Sequence, residues 1–367
     1  VTTLARLHGK AVLGEAKLAE YNKLSQQLAS FEKQKFEVKD EFAMAVGERG
    51  RQKTWVLRRG NPVLQGEEVG PSFPQILGAP EANVPKEYDT GKTSGKRRVL
   101  AEWIASPKNP MTAKVMANRL WQHHMGRGIV NTPNDFGLQG ELPTHPQLLD
   151  WLASELIEGG WRLKPLHKKI VMSATYLQSS GYDAAKMKAD PLNKLHWRRT
   201  PARLQAEVIR DSLLKMSGLL DTKMYGAGTL DERMKRRSIY FMIKRSRLIP
   251  TMQLFDSPEP LVSQGSRPST IIAPQALHFM NNAQVREAAL ALAGQFEKKT
   301  EDEGAISLAY QTVVGREPTQ AETKSITAFM GAQAQSYKAA GRNDARKLAL
   351  ADLAQVLFGL NEFIYVN

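Results

Sequence analysis

"MANRLWQHHMGRG" (116–128) decides how the chain folds. Laid out at about 100° per residue, a helix over 110–125 carries Ala113, Met116 and Leu120 on one side. Met111, Val115, Trp121 and Met125 lie on nearly the opposite side. A helix that is apolar on two sides is buried on two sides, so this one is central to a helical domain. Asn118 and Gln122 then fall inside one apolar face, and His124 falls beside the other. Buried amides and imidazoles must find hydrogen-bond partners, so these three read as structural polar groups. A narrow polar sector is left to Thr112, Arg119 and His123, which makes Arg119 and His123 candidates for ligand binding or catalysis.

The paired histidines do not read as a metal site. Two histidines on one helix share an ion best at i, i+4, whereas adjacent side chains diverge by about 100°. Arg119, one turn before His123, adds a cation where a metal would sit. The sequence therefore predicts no tightly bound transition metal. The loop that follows, "NTPNDFGLQGELPTHP" (131–146), is a stronger place for chemistry. It carries Asp135, Glu141 and His145, which with His123 form the candidate acid–base set. The same Asn, Asp, Gly and Pro residues also suit a tight connection, with His145 in the first turn of the next helix.

Working outward, the chain of 367 residues is long enough for two domains or one large one. Lys and Arg number 51 against 37 acids, a net charge of +14, and much of the excess is local. "RMKRRSIYFMIKRSR" (233–247) holds seven basic residues and no acid. Such a cluster favours anionic partners, unless it is merely a solvated face. Arg236, Arg237, Arg245 and Arg247 are its candidate binding residues. No cysteine occurs, which excludes disulfides, thiol chemistry and covalently attached haem in this chain. No apolar run reaches the roughly 20 residues of a membrane span. The start, "VTTLARLHGK", has neither Met nor a secretory core and reads as that of a piece cut from something longer.

Helix signals dominate. Residues 4–28 space Leu4, Leu7, Leu18, Tyr21 and Leu28 in an a/d pattern, predicting one long helix from Thr3 to Val46 that Gly47 and Gly50 end. Residues 51–95 are irregular apart from "TWVLRRG" (54–60), which reads as a strand. Further helices are predicted over 110–125, 144–158, 163–179 and 200–218, the last with Thr200 as cap and Pro201 at its first position. "RRSIYFMIKR" (236–245) reads as a strand with Ile239, Phe241 and Ile243 facing the core. Two helices should meet at Asn281–Asn282, Thr319 and Glu322 form a capping box, and 344–360 closes the chain as a helix. A lone strand leaves its backbone groups unpaired, so the two strand-like stretches should pair with each other. No phosphate-binding loop, nucleophile elbow or dinucleotide fingerprint is present.

The stretch from "NPMTAKVMANRLWQHHMGRG" to "VMSATYLQSS" (109–180), with "RRSIYFMIKRSRLIPTMQLFDSPEP", "STIIAPQALHFMNN" and the ending "GLNEFIYVN", strongly resembles the planctomycete-specific C-terminal domain family of unknown function. The resemblance covers about residues 50–367. It implies an extracytoplasmic location, and a place after a cytochrome-c-like domain in a large exported protein. Haem would then belong to a neighbouring domain or partner, with no cofactor in this chain. It implies no reaction and transfers no catalytic residue.

The expectations are these. The fold is mainly α, a multi-helix orthogonal bundle with one small two-stranded β-ribbon. A linking helix (1–50) and an irregular wrapping segment (51–95) precede a helical core (96–300) and a C-terminal helical subdomain (301–367). The favoured function is a non-catalytic scaffold or interaction module with protein partners in an envelope assembly. The alternatives are a polysaccharide hydrolase using Asp135, Glu141, His145 or His123, and a binder of an acidic polymer. Nucleic acid is not expected as a partner.

Overall fold

A computed structural model of the chain describes residues 2–33, 46–48 and 53–366. It is mainly α, as the helical periodicities predict, with two small antiparallel sheets rather than one. The chain divides into two compact units, one of residues 1–73 and 80–100, the other of 74–79 and 101–367.

In the first unit, α1 spans Thr2–Lys33 and is kinked at Gly14, whose φ of +73° breaks the helix. The remainder of the helix foreseen up to Val46 lies outside the described residues, except that Val46 itself and Gly47 are not helical. Leu24, Leu28 and Phe31 of α1 are exposed. The strand "TWVL" exists as β1 (Thr54–Leu57), but it pairs with β2 (Gln65–Val69). The predicted pairing of β1 with 236–245 is therefore wrong. Turn bonds Arg58 N to Leu64 O (2.9 Å) and Leu64 N to Asn61 O (3.1 Å) satisfy the backbone locally, so the strand needs no distant partner. Farther on, Glu48 accepts from Ser94 N (2.7 Å) and so ties its own segment to the start of α2 (Lys96–Ile104).

The second unit has two cores. The smaller is built by α3 (Thr112–Met125), α4 (Pro146–Glu158) and α5 (Leu163–Val171) around Trp121, Leu152, Leu156 and Ile170. Asn109 Oδ1 accepts from Met111 N (2.9 Å) and Thr112 N (3.2 Å), so it caps α3 although the helix begins two residues later than Pro110. Gly126, at φ +82°, closes α3 in the left-handed conformation that only glycine adopts freely. The helix predicted over 163–179 stops at Val171, where Ser173 Oγ bonds Ile170 O (2.7 Å) and turns the chain. A short α6 (Ala184–Ala189) follows.

The larger core gathers α7 (Ala206–Met216), α8 (Pro250–Leu254), α9 (Ala273–Asn281), α10 (Ala283–Phe296), α11 (Asp302–Val313), α12 (Gln320–Ala339), α13 (Ala345–Phe358) and α14 (Asn361–Ile364). α13 is buried almost all round, and its one acid, Asp352, is met by Arg286 (2.7 Å) and Tyr337 Oη (3.0 Å). Asn282 caps α10 where α9 ends, as the Asn281–Asn282 signal predicts. α7 starts at Ala206, not Pro201. The residues before it form β3 (Ala202–Arg203), which pairs with β4 (Tyr365–Val366) near the far end of the chain.

Residues 236–245 are not a strand either. They hold one 3-10 turn (Ser238–Tyr240) and isolated bridges, and Ile239 and Ile243 are 71% and 83% exposed instead of facing the core. The cause is Asp211 on α7, which accepts from both Ser238 N (2.8 Å) and Ser238 Oγ (2.7 Å) and so takes the donor that a ladder would need.

The capping box of α12 carries an ion-pair network. Arg316 reaches Glu322 (2.7 Å) and Glu362 (2.7 Å), joining the start of α12 to α14. Bonds from Arg316 and from Thr319 N push the Glu322 carboxyl down to about 2. A depressed folded value means that the stabilisation is present above the ordinary value of 4.5 and is lost as pH falls towards 2. Melting temperature should fall through that window, and Glu322→Gln should flatten the fall. An unchanged acid limb in the variant would show that the network is irrelevant to folding.

Candidate functional site

The sequence-predicted residues take these places. Asn118 is fully buried, and its amide binds the backbone of Val130 twice, Nδ2 to O (2.9 Å) and N to Oδ1 (2.8 Å). Gln122 is half-buried and donates to Gly265 O (3.3 Å). His124 faces His167, ring nitrogens 2.7 Å apart, with Tyr176 edge-on. Burial, then His167, holds the His124 imidazole below its ordinary value. His123 is exposed and points the other way, into a cavity.

The acid–base candidates are not gathered. Asp135 accepts from Gly137 N (2.8 Å) and shapes its own turn. Glu141 accepts from Asn131 (2.9 Å) and Arg127 (2.9 Å), and the Asn131 bond foremost keeps its carboxyl below the usual range. His145 stands immediately before α4 and stacks at 5.6 Å on His196. Of the four, only His123 lines a major cavity.

The arginines of 233–247 divide. Arg236 lies over the Tyr240 ring (3.6 Å) and donates to the carbonyls of Lys223, Tyr225 and Ala227. Arg233 is held by Asp231, and Lys235 by Glu287. Arg237 stands 3.9 Å from Asp211. Arg245 and Arg247 are exposed.

Two cavities lie against α7. The first, about 850 Å³, runs between α7 and residues 237–249, with Met216, Phe241, Met242 and Met252 in its apolar lining and Lys215, Lys244 and Arg247 among its charges. The second, about 670 Å³, has a more polar lining than the first and lies between the end of α3 and the loop 257–269. That loop closes on itself. Asp256 accepts from Thr270 N (2.8 Å) and Thr270 Oγ1 (2.8 Å), and Arg203, 5% exposed, pairs with it across the neck. Burial raises the Asp256 carboxyl, but the bonds from Thr270 and Arg203 outweigh it and leave it below the usual range.

A family model described as "PSD1: Protein of unknown function (DUF1553)" matches residues 96–330, more than half of the chain. The chain belongs to the PSD1 family. No curated protein and no solved structure gave a match. Both cavities sit inside the PSD1 match, apart from Val366 in the wall of the second. Sequence reasoning missed Arg127, His196, Arg203, Arg210 and Asp256. The one signal near them, "SPEPLVSQGSRPS" (257–269), is a long connection without helix or strand that marks one wall of the second cavity but none of these residues themselves. Among the described residues, no helix is long and apolar enough to cross a membrane.

Proposed function

We propose that this chain is a non-catalytic interaction module, whose first cavity seats an acidic amphipathic helix of a partner protein. One observation carries the reading: an apolar cleft rimmed by three cations that have no acidic partner among the described residues. Ile239, Met242, Ile243, Leu261 and Val262 are exposed in and beside it, an apolar patch of the kind that marks a protein interface. Three methionines line it, and flexible thioethers adapt to a partner's side chains. Lys215, Lys244 and Arg247 have no acidic partner among the described residues; of the three carboxylates in the lining, Glu207 and Asp211 are engaged by Arg267 and Ser238, which leaves Glu259 alone against three cations. An apolar stripe flanked by Glu or Asp is the complement of such a cleft.

A polyanion needs a continuous row of free cations. Four of the seven basic residues of 233–247 are instead held by acids or carbonyls, which favours the protein partner. A hydrolase needs converging acid–base groups, and the four candidates stand apart. The setting we propose is an extracytoplasmic, cytochrome-associated multidomain assembly, with haem held outside this chain.

A synthetic helix with a Leu/Ile stripe and a Glu face tests the reading by fluorescence anisotropy. The chain should bind it, and K215E/K244E/R247E should weaken binding by roughly tenfold or more, since truncating or reversing interface charges acts at this scale. Equal binding by the triple variant, or equal binding of unstructured polyglutamate, would defeat the proposal.

A further inference from the structure

We infer that the second cavity binds a small hydroxyl-rich organic anion of the sugar-acid class. The cations used here, Arg119, His123 and Arg127, line the second cavity and not the first, although the two cavities share Gln205, Val208, Pro258 and Arg267 in their walls.

The charge balance comes first. One carboxylate, Asp256, lines the cavity, and Arg203 already neutralises it. Arg267 is likewise taken by Glu207 (2.6 Å). The positive charge left over is that of Arg119 on α3. Arg119 bonds only the neutral amide of Asn134 (2.8 Å) and meets no carboxylate among the described residues. The charge of Arg127 is balanced by Glu141 (2.9 Å), but its Nε is buried without any hydrogen-bond partner among the described residues. A buried unpaired donor on a guanidinium is costly, and an anion satisfies it. His123 lies four residues from each in sequence: one turn, about 6 Å along the axis, from Arg119, while Arg127 follows the Gly126 that ends the helix. A single carboxylate fits this end of the cavity.

The neutral lining indicates what else the ligand carries. The side chains of Gln205, Gln264, Ser266 and Ser269 line the cavity and make no side-chain hydrogen bond among the described residues. These amides and hydroxyls both donate and accept, as sugar hydroxyls do. A volume of about 670 Å³ falls within the range of small-ligand pockets.

The backbone holds the site in advance. Six residues other than glycine have positive φ among those described, and three of them, Asn193 (50°), His196 (53°) and Asp256 (60°), line this cavity. Such conformations persist where the surroundings over-determine them, and they cluster at ligand clamps. Asn193 is locked by bonds from its amide to Arg198 O (2.8 Å) and Thr200 Oγ1 (2.8 Å). The neck of the 257–269 loop is locked by Asp256. The wall therefore needs little reorganisation when a ligand enters.

Isothermal titration of the chain with glucuronate, glucose and inorganic sulfate tests the inference. Glucuronate should bind, with glucose and sulfate each weaker by roughly tenfold or more, because each lacks one half of the complement. Arg127→Gln and Arg119→Gln should each weaken glucuronate by roughly tenfold, and Arg245→Gln, on the exposed basic segment, should not. Circular dichroism confirms folding, and Arg119→Gln carries the test if Arg127→Gln unfolds. No heat with glucuronate, glucose binding as well as glucuronate, sulfate binding as well as glucuronate, or parental affinity in both folded variants overturns the inference.

Discussion

Trp121→Ala is expected to unfold the smaller core of the second unit, or to lower its melting temperature by roughly 10 °C. The indole is 4% exposed and is the largest buried side chain of a core that also holds Leu120, Ile129, Leu149, Leu152, Leu156, Leu166 and Ile170. Truncating a buried Trp costs about 3–5 kcal/mol, a large part of the 5–15 kcal/mol that holds a domain. His196, edge-on to the indole at 5.3 Å, loses its wall at the same time. Asn118→Ala should act in the same direction by a different route. It leaves the buried N–H and C=O of Val130 both unpartnered, at about 1–3 kcal/mol each. Thermal unfolding of the two variants decides the matter. If both melt like the parent, the stretch that opens the sequence is a surface and not a strut.

What the sequence makes legible is local. The Gly126 stop, the Asn282 cap and the Thr319–Glu322 box each depend on residues within two turns of one another, and each stands in the structure, whereas the buried residues of α3 form one broad face rather than two opposite sides. What it hides is settled by distant partners. "TPARLQ" carries a good helix start, yet Ala202 and Arg203 are extended, because Tyr365 and Val366 pair with them and Asp256 claims the Arg203 side chain. "RRSIYFMIKR" has strand composition, but Asp211 and Arg210 take its polar groups first. The second cavity draws its wall from four separate parts of the chain, near residues 119–127, 192–208, 255–269 and 366, so no spacing rule reveals it. His123 and Arg119 stood out because they share a polar sector of one helix. Arg127 did not, because its role rests on an orphaned donor that only packing creates.

Arg210→Ala should be the most damaging change near the docking cleft. The guanidinium is almost fully enclosed, and it fastens 234–241 to α7. It donates to Met234 O, to Arg236 O (3.0 Å) and to Ser238 Oγ (3.2 Å), and it lies 4.7 Å over the Phe241 ring. Burial works against this charge and lowers its affinity for a proton, while Asp211 and Glu232 oppose the loss. Burying an ion costs several kcal/mol, so the bonds to the three oxygens must outweigh that cost for the residue to stabilise the fold. Removing it strands those acceptors and leaves a cavity, for a net loss of about 3 kcal/mol. Ile239, Met242 and Ile243, already exposed, would then lose the anchor that holds them along the cleft. Affinity for the acidic helix should fall although no rim cation has changed. Arg210→Met separates the two contributions, because it keeps most of the volume and none of the donors. If Arg210→Met melts and binds like the parent, packing on Phe241 holds the segment and the hydrogen bonds do not. A variant that stays folded but loses the helix shows that the guanidinium shapes the cleft itself.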